Sequence, residues 1–401
     1  MVRNSRRKHL IMEFEKIVLQ RRRLRDIRYL MNWKDEWEDF VDEWYEVKVL
    51  TMKKTRYLCR PQTYRKRDIY SGSILPFNRL NDSEFIHHFR MPRFSFHHLL
   101  NLINNYEQNE DSYQQIGQLE LLCCLKFLGV YGNGGSLLSL KYFFGIGYGT
   151  ADKYIKKGIS AIIRMKANVI SWPDDEERRI ISQVYKNTYI LPHCIGVIDG
   201  TIFPLSYKPE KNGEDYFTRK SNYGIQSLVV CDNDSRIREI TMGWPGSVHD
   251  NRSWKNSKMF LRKNDYFDNQ QYLIGDCAFT QSDTMIPVYK QPFGGRLSPL
   301  KEKFNSVLAK GGGRSEHCFG LLKGRFQYLK GIRVRLKGRK DMIKINRIIT
   351  ASAILHNLLI ASAYDEAWIE IDSEEEVIGD DNIPCDQRRD QLLNYIREQL
   401  Y

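Results

Sequence analysis

The chain has 401 residues, 42% of them hydrophobic, and 62 Lys and Arg against 49 Asp and Glu give it a formal charge of +13. That length accommodates two or three domains with proper cores, and the charge points to a polyanionic partner, nucleic acid first and anionic membrane a distant second. No apolar run approaches a membrane span, the first residues lead into no signal-peptide core, and eight cysteines without C-x-x-C spacing predict reduced thiols in a cytosolic or nuclear protein, not a disulfide framework or zinc site.

Residues 1–75 read as a basic arm, with clusters at Arg6-Arg7-Lys8, Arg21-Arg22-Arg23 and Arg65-Lys66-Arg67. Such clusters serve nuclear import, DNA binding or plain solvation. A helix over 10–30 is expected within the arm. Residues 76–190 read as a helical region: 94–106 is amphipathic, and 119–130 is apolar enough for a buried helix. The segment 136–165 has a helix-turn-helix outline, two helices joined through Gly145-Ile-Gly147. In its second helix Ile155, Ile159 and Ile162 fall on one face and Lys153, Lys157 and Arg164 on another, the layout of a packed inner side and a phosphate-contacting outer side. A plain αα-hairpin with a solvated basic face has the same pattern.

Residues 191–360 change texture. The almost unbroken apolar run Cys194–Ile198 reads as a strand buried on both faces, closed by Asp199 and Gly200, with strand-like character on to Leu205. Runs at 225–230 and 237–242, separated by Asn233-Asp234-Ser235, predict a hairpin. A helix is expected over 250–263, a short strand over 272–276, and a longer helix from before Glu316 to about Leu329. This is an α/β core, a mixed sheet flanked by helices, preceded by an all-α region with the helix-turn-helix-like segment. From residue 361 the chain reads as an acidic linker with a last amphipathic segment, 388–400.

Three acids break local rules. Asp199 and Asp276 each close a short apolar strand, and Glu316 continues the helical stripe of Phe319, Leu322, Phe326 and Leu329. A lone ionised carboxylate in such a place costs several kcal/mol, so each is held by an Arg, by backbone amides or by a metal. Rule-breaking residues concentrate at functional sites. Three inward-facing acids on separate elements suit Mg²⁺ or Mn²⁺, and two such ions activate a water or hydroxyl and stabilise the leaving oxygen of a phosphodiester. Asp250, expected to cap a helix start, reads as an assisting ligand further out. The histidines lack zinc spacing, and no GxxxxGK[ST] loop is present.

In order, Gly196-Val-Ile-Asp199-Gly-Thr201, Gly243-Trp-Pro-Gly246-Ser-Val-His-Asp250, Gly275-Asp276, Phe304-Asn305, Glu316-His-Cys-Phe319-Gly320-Leu-Leu-Lys323-Gly-Arg325-Phe326 and Leu355-His356-Asn357 resemble the PIF/Harbinger superfamily of DDE transposases and their host-derived nucleases. The resemblance covers roughly residues 80–360. It implies an RNase H-like core and divalent-metal-dependent DNA cleavage and joining at transposon ends, with Asp199, Asp276 and Glu316 catalytic and Asp250 a further metal ligand. It also implies a nuclear protein, homo-oligomeric on double-stranded DNA, commonly assisted by a Myb/SANT-like DNA-binding protein. Lys323 and Arg325, downstream of Glu316, are candidates for the DNA backbone. Two departures stand out. Ile202 occupies the place of the family's His after Asp-Gly-Thr, and Gly311–Gly313 replace a charged helical stretch, which predicts a later or looser start to the Glu316 helix. A rival reading is a DNA-binding or scaffold protein derived from a transposase that no longer cuts.

Overall fold

Where the sequence repeats its apolar residues at helical spacing the chain is helical, and the apolar runs after His193 pair as strands. The structure, a computed structural model, describes residues 6–31, 36–54, 80–108, 115–268, 270–292, 295–362 and 387–400. The cluster Arg65-Lys66-Arg67 and the acidic stretch after 362 lie outside these residues. Among the described residues no helix is long and apolar enough to cross a membrane, and none of the described cysteines forms a disulfide. Contacts divide the chain into two units, 1–68 and 69–401.

In the first unit, α1 (Arg6–Leu30) and α2 (Glu36–Lys54) form an antiparallel hairpin. Arg21 and Arg28 both reach the buried Asp42, Arg22 reaches Glu46, and Lys53 reaches Glu15. Part of the basic arm is therefore matched by acids of its own hairpin.

In the second unit the helical region comprises α3 (Asp82–Phe89), α4 (Arg93–Gln108), α5 (Gln118–Leu128), α6 (Leu137–Phe144), α7 (Tyr148–Arg164) and α8 (Asp175–Tyr189). α6 ends on Gly145 at φ 64°, a left-handed position that favours glycine, so the expected helix-turn-helix outline is present. α7 lies close against α5: a Cβ on Gly158 would stand 2.5 Å from that of Cys124.

Five strands follow: β1 (Cys194–Leu205), β2 (Tyr223–Cys231), β3 (Ile237–Pro245), β4 (Tyr272–Gly275) and β5 (Met285–Pro287). They lie in the order β3-β2-β1-β4-β5. β1–β2 and β2–β3 are antiparallel, and β1–β4 and β4–β5 parallel. This mixed sheet with helices on both faces is an RNase H-like α/β core behind an all-helical region. The predicted hairpin is β2–β3, its turn held by Asp232, whose carboxylate accepts the backbone N–H groups of Asp234 and Arg236. One sheet face, with Ile198, Leu228 and Leu273, packs on Trp254, Met259 and Phe279. The other, with Val197, Val229 and Ile274, merges into the core of the helical region and of two long helices, α10 (Pro299–Arg325) and α11 (Arg339–Leu359).

Two helix expectations are corrected. The helix expected over 250–263 is three short turns, of which the first is α9 (Asp250–Lys255); Ser257 caps the second by accepting the N–H of Phe260. α10 runs unbroken through Gly311–Gly313, started by the Ser298 cap and Pro299, and ends at Arg325 instead of Leu329. Gly311 has a physical reason to be small, because a Cβ there would lie 3.1 Å from Leu191 Cδ1 and 3.2 Å from Ile274 Cδ1. The last amphipathic segment is a docked helix, α12 (Gln387–Leu400), with Leu392 and Ile396 buried and the Arg389 guanidinium 3.9 Å from the centre of the Tyr289 ring.

Two of the sequence motifs are structural clamps. Asn305 on α10 accepts the Tyr289 N–H and donates to the Tyr289 carbonyl. Asn357 on α11 does the same for Ile237 at the start of β3, at 2.8 Å in each direction, and also donates to Val169.

Candidate active site

β1 runs through Asp199 to Leu205, as far as its strand-like character extends, because every residue from Val197 onward finds a partner on β2. Asp199 is thus inside the antiparallel ladder, yet past the end of the parallel one, whose last pair is Val197 with Ile274. Asp199 and Asp276 each stand two residues beyond that pair. Asp276 lies just past the end of β4, where the chain turns. Alternation puts both on the face of Val197 and Ile274, the face that α10 covers.

Glu316 projects from α10 on that side. Residues one turn before and after it, Gly312 and Gly320, carry no side chain, so the carboxylate rises from a bare strip of helix. Asp199, Asp276 and Glu316 all line one cavity of about 740 Å³. Their backbones hold the two strand acids in place: the Asp199 carboxylate accepts the Gly200 N–H at 2.6 Å, and that of Asp276 accepts the Ala278 N–H at 3.0 Å.

Asp250 reaches the same cavity from the opposite sheet face. It is the first residue of α9, with His249 at the cap position, so it does not cap the helix as expected. Its carboxylate accepts a hydrogen bond from Gln226 Nε2 and lies against Gly200, whose Cβ, if present, would be 2.0 Å from Asp250 Oδ1. Gly200 is therefore glycine because Asp250 occupies the side-chain position. Burial raises the pKa of Asp250, partly offset by the Gln226 hydrogen bond and the charges of Arg219 and His249. Ile202, at the family's His position, also lines the cavity and lies over Gly224.

Of the candidate DNA-binding residues the structure gathers one at the cavity. Lys323 lines it, two turns beyond Glu316, with Nζ 5.7 Å from the centre of the Phe203 ring. Arg325 is corrected. Two residues further along a helix means the opposite side, and there it is buried, donating to the carbonyls of Leu359 at 2.7 Å and Ser362 at 3.4 Å beyond the end of α11. Lys157 is corrected as well: it donates to the Glu120 carboxylate at 2.6 Å and the Gln115 carbonyl at 2.7 Å, tying α7 to α5. Lys153 is exposed on α7, and Arg164 is half-buried. Sequence reasoning missed Gln226, Arg219, Lys220 and Lys330, all at the cavity. Gln226 alone left a signal, as a polar residue inside the apolar run of β2.

The donor chemistry suits a hard divalent cation: carboxylate oxygens from two strands and a helix open onto one cavity, and desolvated Asp250 calls for a compensating cation. Placement fits, while closeness does not. Among the described residues no group of three or more His, Cys, Asp or Glu is arranged to hold a metal ion.

Residues 198–357, which include all four acids, match the family model described as DDE superfamily endonuclease. That stretch of the chain is similar to the DDE superfamily endonucleases. Two curated relatives come from Arabidopsis thaliana. "Protein ALP1-like" is 23% identical over 279 residues, covering 66% of this chain and 63% of that protein. "Antagonist of like heterochromatin protein 1" is 25% identical over 240 residues, covering 57% and 59%. The chain thus spans about three-fifths of the length of these relatives. No solved structure matches it. The DDE match and these relatives support the resemblance to the PIF/Harbinger superfamily found in the sequence.

Proposed function

We propose that the DDE domain is a nuclear, divalent-metal-dependent endonuclease that cleaves and joins phosphodiester bonds of double-stranded DNA at transposon ends. The observation that carries this reading is the grouping of Asp199, Asp276 and Glu316 on one side of the sheet, at one cavity that Lys323, Lys330, Arg219 and Lys220 also line. Those three acids would hold Mg²⁺ or Mn²⁺, with Asp250 assisting from across Gly200. Two such ions, once bound, supply a Lewis acid for the attacking oxygen and for the leaving one. The chain's own cations do the rest. Lys323, on the same helix as Glu316, meets the phosphate undergoing attack, and Arg219 and Lys220 neutralise neighbouring phosphates. Exposed Lys153 extends the backbone contact.

The test is cleavage of supercoiled and terminal-repeat DNA with Mg²⁺, with Mn²⁺ and with EDTA. Asp199→Ala and Glu316→Ala should each abolish cutting and leave duplex binding intact, and should reduce the thermal stabilisation that the free ion gives the wild-type protein. Cleavage that survives EDTA, or survives in both variants, overturns the proposal. A second reading, a DNA-binding or scaffold protein that no longer cuts, is favoured by the printed name of one relative, which describes an antagonist of a chromatin protein and not a nuclease. It predicts salt-sensitive duplex binding with no cleavage under either metal.

A further inference from the structure

Several cations of this chain are matched by its own acids: Arg21 and Arg28 by Asp42, Lys157 by Glu120, and Arg238 by Asp232. The stretch 330–347, Lys-Gly-Ile-Arg-Val-Arg-Leu-Lys-Gly-Arg-Lys-Asp-Met-Ile-Lys-Ile-Asn-Arg, departs from that, with Asp341 as its single acid. The Asp341 carboxylate accepts the Lys337 backbone N–H, and the Lys337 ammonium pairs with Glu210 at 2.6 Å. For Arg335, Arg339, Lys340 and Lys344, all exposed, the described residues supply no acid to pair with.

The fold makes these cations one strip. Residues 332–336 run beside the end of β1: the Ile332 N–H donates to the Pro204 carbonyl, that of Ser206 to Ile332, and that of Glu210 to Leu336. Buried Ile332, Val334 and Leu336 alternate with Arg333, Arg335 and Lys337. The three cations therefore share the other face at a step of about 6.6 Å, regular enough for the even phosphate repeat of one nucleic-acid strand. The Tyr207 ring supports the first two, 5.9 and 5.2 Å from their guanidinium carbons. On α11, Lys340, Lys344 and Arg347 continue the strip as one exposed stripe, turned away from buried Ile345 and Ile349. Like charges so placed on a helix destabilise it, and an acid-free stripe is the pattern of a surface completed by an outside polyanion. Both ends of the strip meet something. Lys330 and Pro204 line the cavity of the acids, and Arg347 donates at 2.7 Å to Ser160 Oγ on α7, one and two turns past exposed Lys156 and Lys153. Laid end to end, its extended and helical parts reach at most about 35 Å, roughly ten base pairs of duplex.

We propose that residues 330–347 are a backbone track for the duplex that leaves the cavity. Arg333, Arg335, Lys340 and Lys344 neutralise phosphates along about one helical turn, so that one duplex is held by the cavity and by the outer face of α7 together. Contacts of this kind position DNA without reading its sequence. The proposal rests on the reading of DNA as the polyanionic partner and stands whether or not the protein cuts it.

The experiment is equilibrium binding of a fluorescent duplex to the full chain over a salt series, without divalent ions. Arg333→Ala with Arg335→Ala, and separately Lys340→Ala with Lys344→Ala, should each lower the slope of log affinity against log salt by about 1.8, at 0.9 for each phosphate released. Arg333→Lys with Arg335→Lys keeps the charge and should keep most of the slope. Arg179→Ala with Lys186→Ala removes the same charge from exposed positions on α8 and should leave the slope as it was. Should the Arg333 and Arg335 variant not fold, the α11 pair carries the test, because both of its side chains are exposed. A wild-type slope in the α11 pair, or an equal loss in the α8 control, overturns the track and leaves DNA as the partner. A wild-type chain that binds no duplex overturns the track and the reading beneath it together.

Discussion

Replacing each glycine of the Gly311–Gly313 run with alanine in turn separates two explanations for glycine in a long helix. A glycine inside a helix costs about 1 kcal/mol relative to alanine, from backbone entropy. At Gly313, which is exposed, a Cβ would meet no atom within 4 Å. Gly313→Ala should therefore recover the whole amount, about 1 kcal/mol. At Gly312 the space is equally open, and the gain should match. At Gly311 the added Cβ would lie 3.1 Å from Leu191 Cδ1 and 3.2 Å from Ile274 Cδ1, both in the core. Overpacking of that kind costs about 1–3 kcal/mol, which cancels or reverses the gain. Equilibrium urea denaturation resolves the difference: at an m value of about 2 kcal/mol/M, Gly313→Ala moves the midpoint up by about 0.5 M and Gly311→Ala moves it little or down. If Gly313→Ala fails to stabilise, α10 is not continuous through the run, and the placement of Glu316 fails with it. If Gly311→Ala stabilises as much as Gly313→Ala, the close approach of α10 to β4 is wrong.

Asp276→Asn should remove cleavage as fully as Asp199→Asn, while Asp250→Asn lowers it and weakens apparent metal affinity; a dead Asp250→Asn beside an active Asp276→Asn reverses the two roles. Arg325→Ala should cost about 3 kcal/mol in urea unfolding through the lost charged hydrogen bonds to Leu359 and Ser362, with the salt dependence of DNA binding unchanged, whereas Lys323→Ala should lower the slope of log affinity against log salt by about 0.9. Lys126, half-buried beside His88, has its pKa lowered to about 8 from 10.5, first by burial and then by the charge of Arg90. The folded chain thus binds fewer protons than the unfolded one across that interval, so this residue's contribution to stability should rise as pH climbs from about 8 to 10.5, and Lys126→Met should flatten that limb. His88, lowered to about 4 from 6.5 chiefly by its burial, should lose stability for the fold as pH falls through that window, a limb His88→Gln removes.

What was legible in the sequence follows from the range of the interaction that carries it. Strand β1 and the β2–β3 hairpin could be read because apolar runs and an Asn-Asp-Ser turn are local signals. The place of Asp199 in the sheet could not, because only the pairing of β1 with β2 and β4 shows that Asp199 is interior to one ladder and beyond the end of another. β5 has three residues, too few for any periodicity. The helix expected after Asp250 fragments at Ser257, a capping residue inside an otherwise helical pattern.

Basic residues were harder to assign than acids, for a reason rooted in solvation. An ionised acid on a core-facing stripe breaks a rule visible on its own helix, as Glu316 does between Gly312 and Gly320. A lysine on a polar face breaks none, so Lys157 reads as a phosphate contact until α5 brings Glu120 to 2.6 Å. Arg325 did leave a local trace: it continues the buried series Gly311, Ser315, Cys318 and Leu322 at helical spacing, which sets it away from Lys323 and into the core. Gln226 carried the same kind of trace, a long polar side chain in a strand whose other buried residues are apolar save Ser227, and its partner is Asp250. The rule that located the three acids thus extends to Arg325 and Gln226, each out of pattern and each with a partner that the pattern does not name. At Arg325 the partners are helix-end carbonyls; at Gln226 the partner is an acid of the site itself.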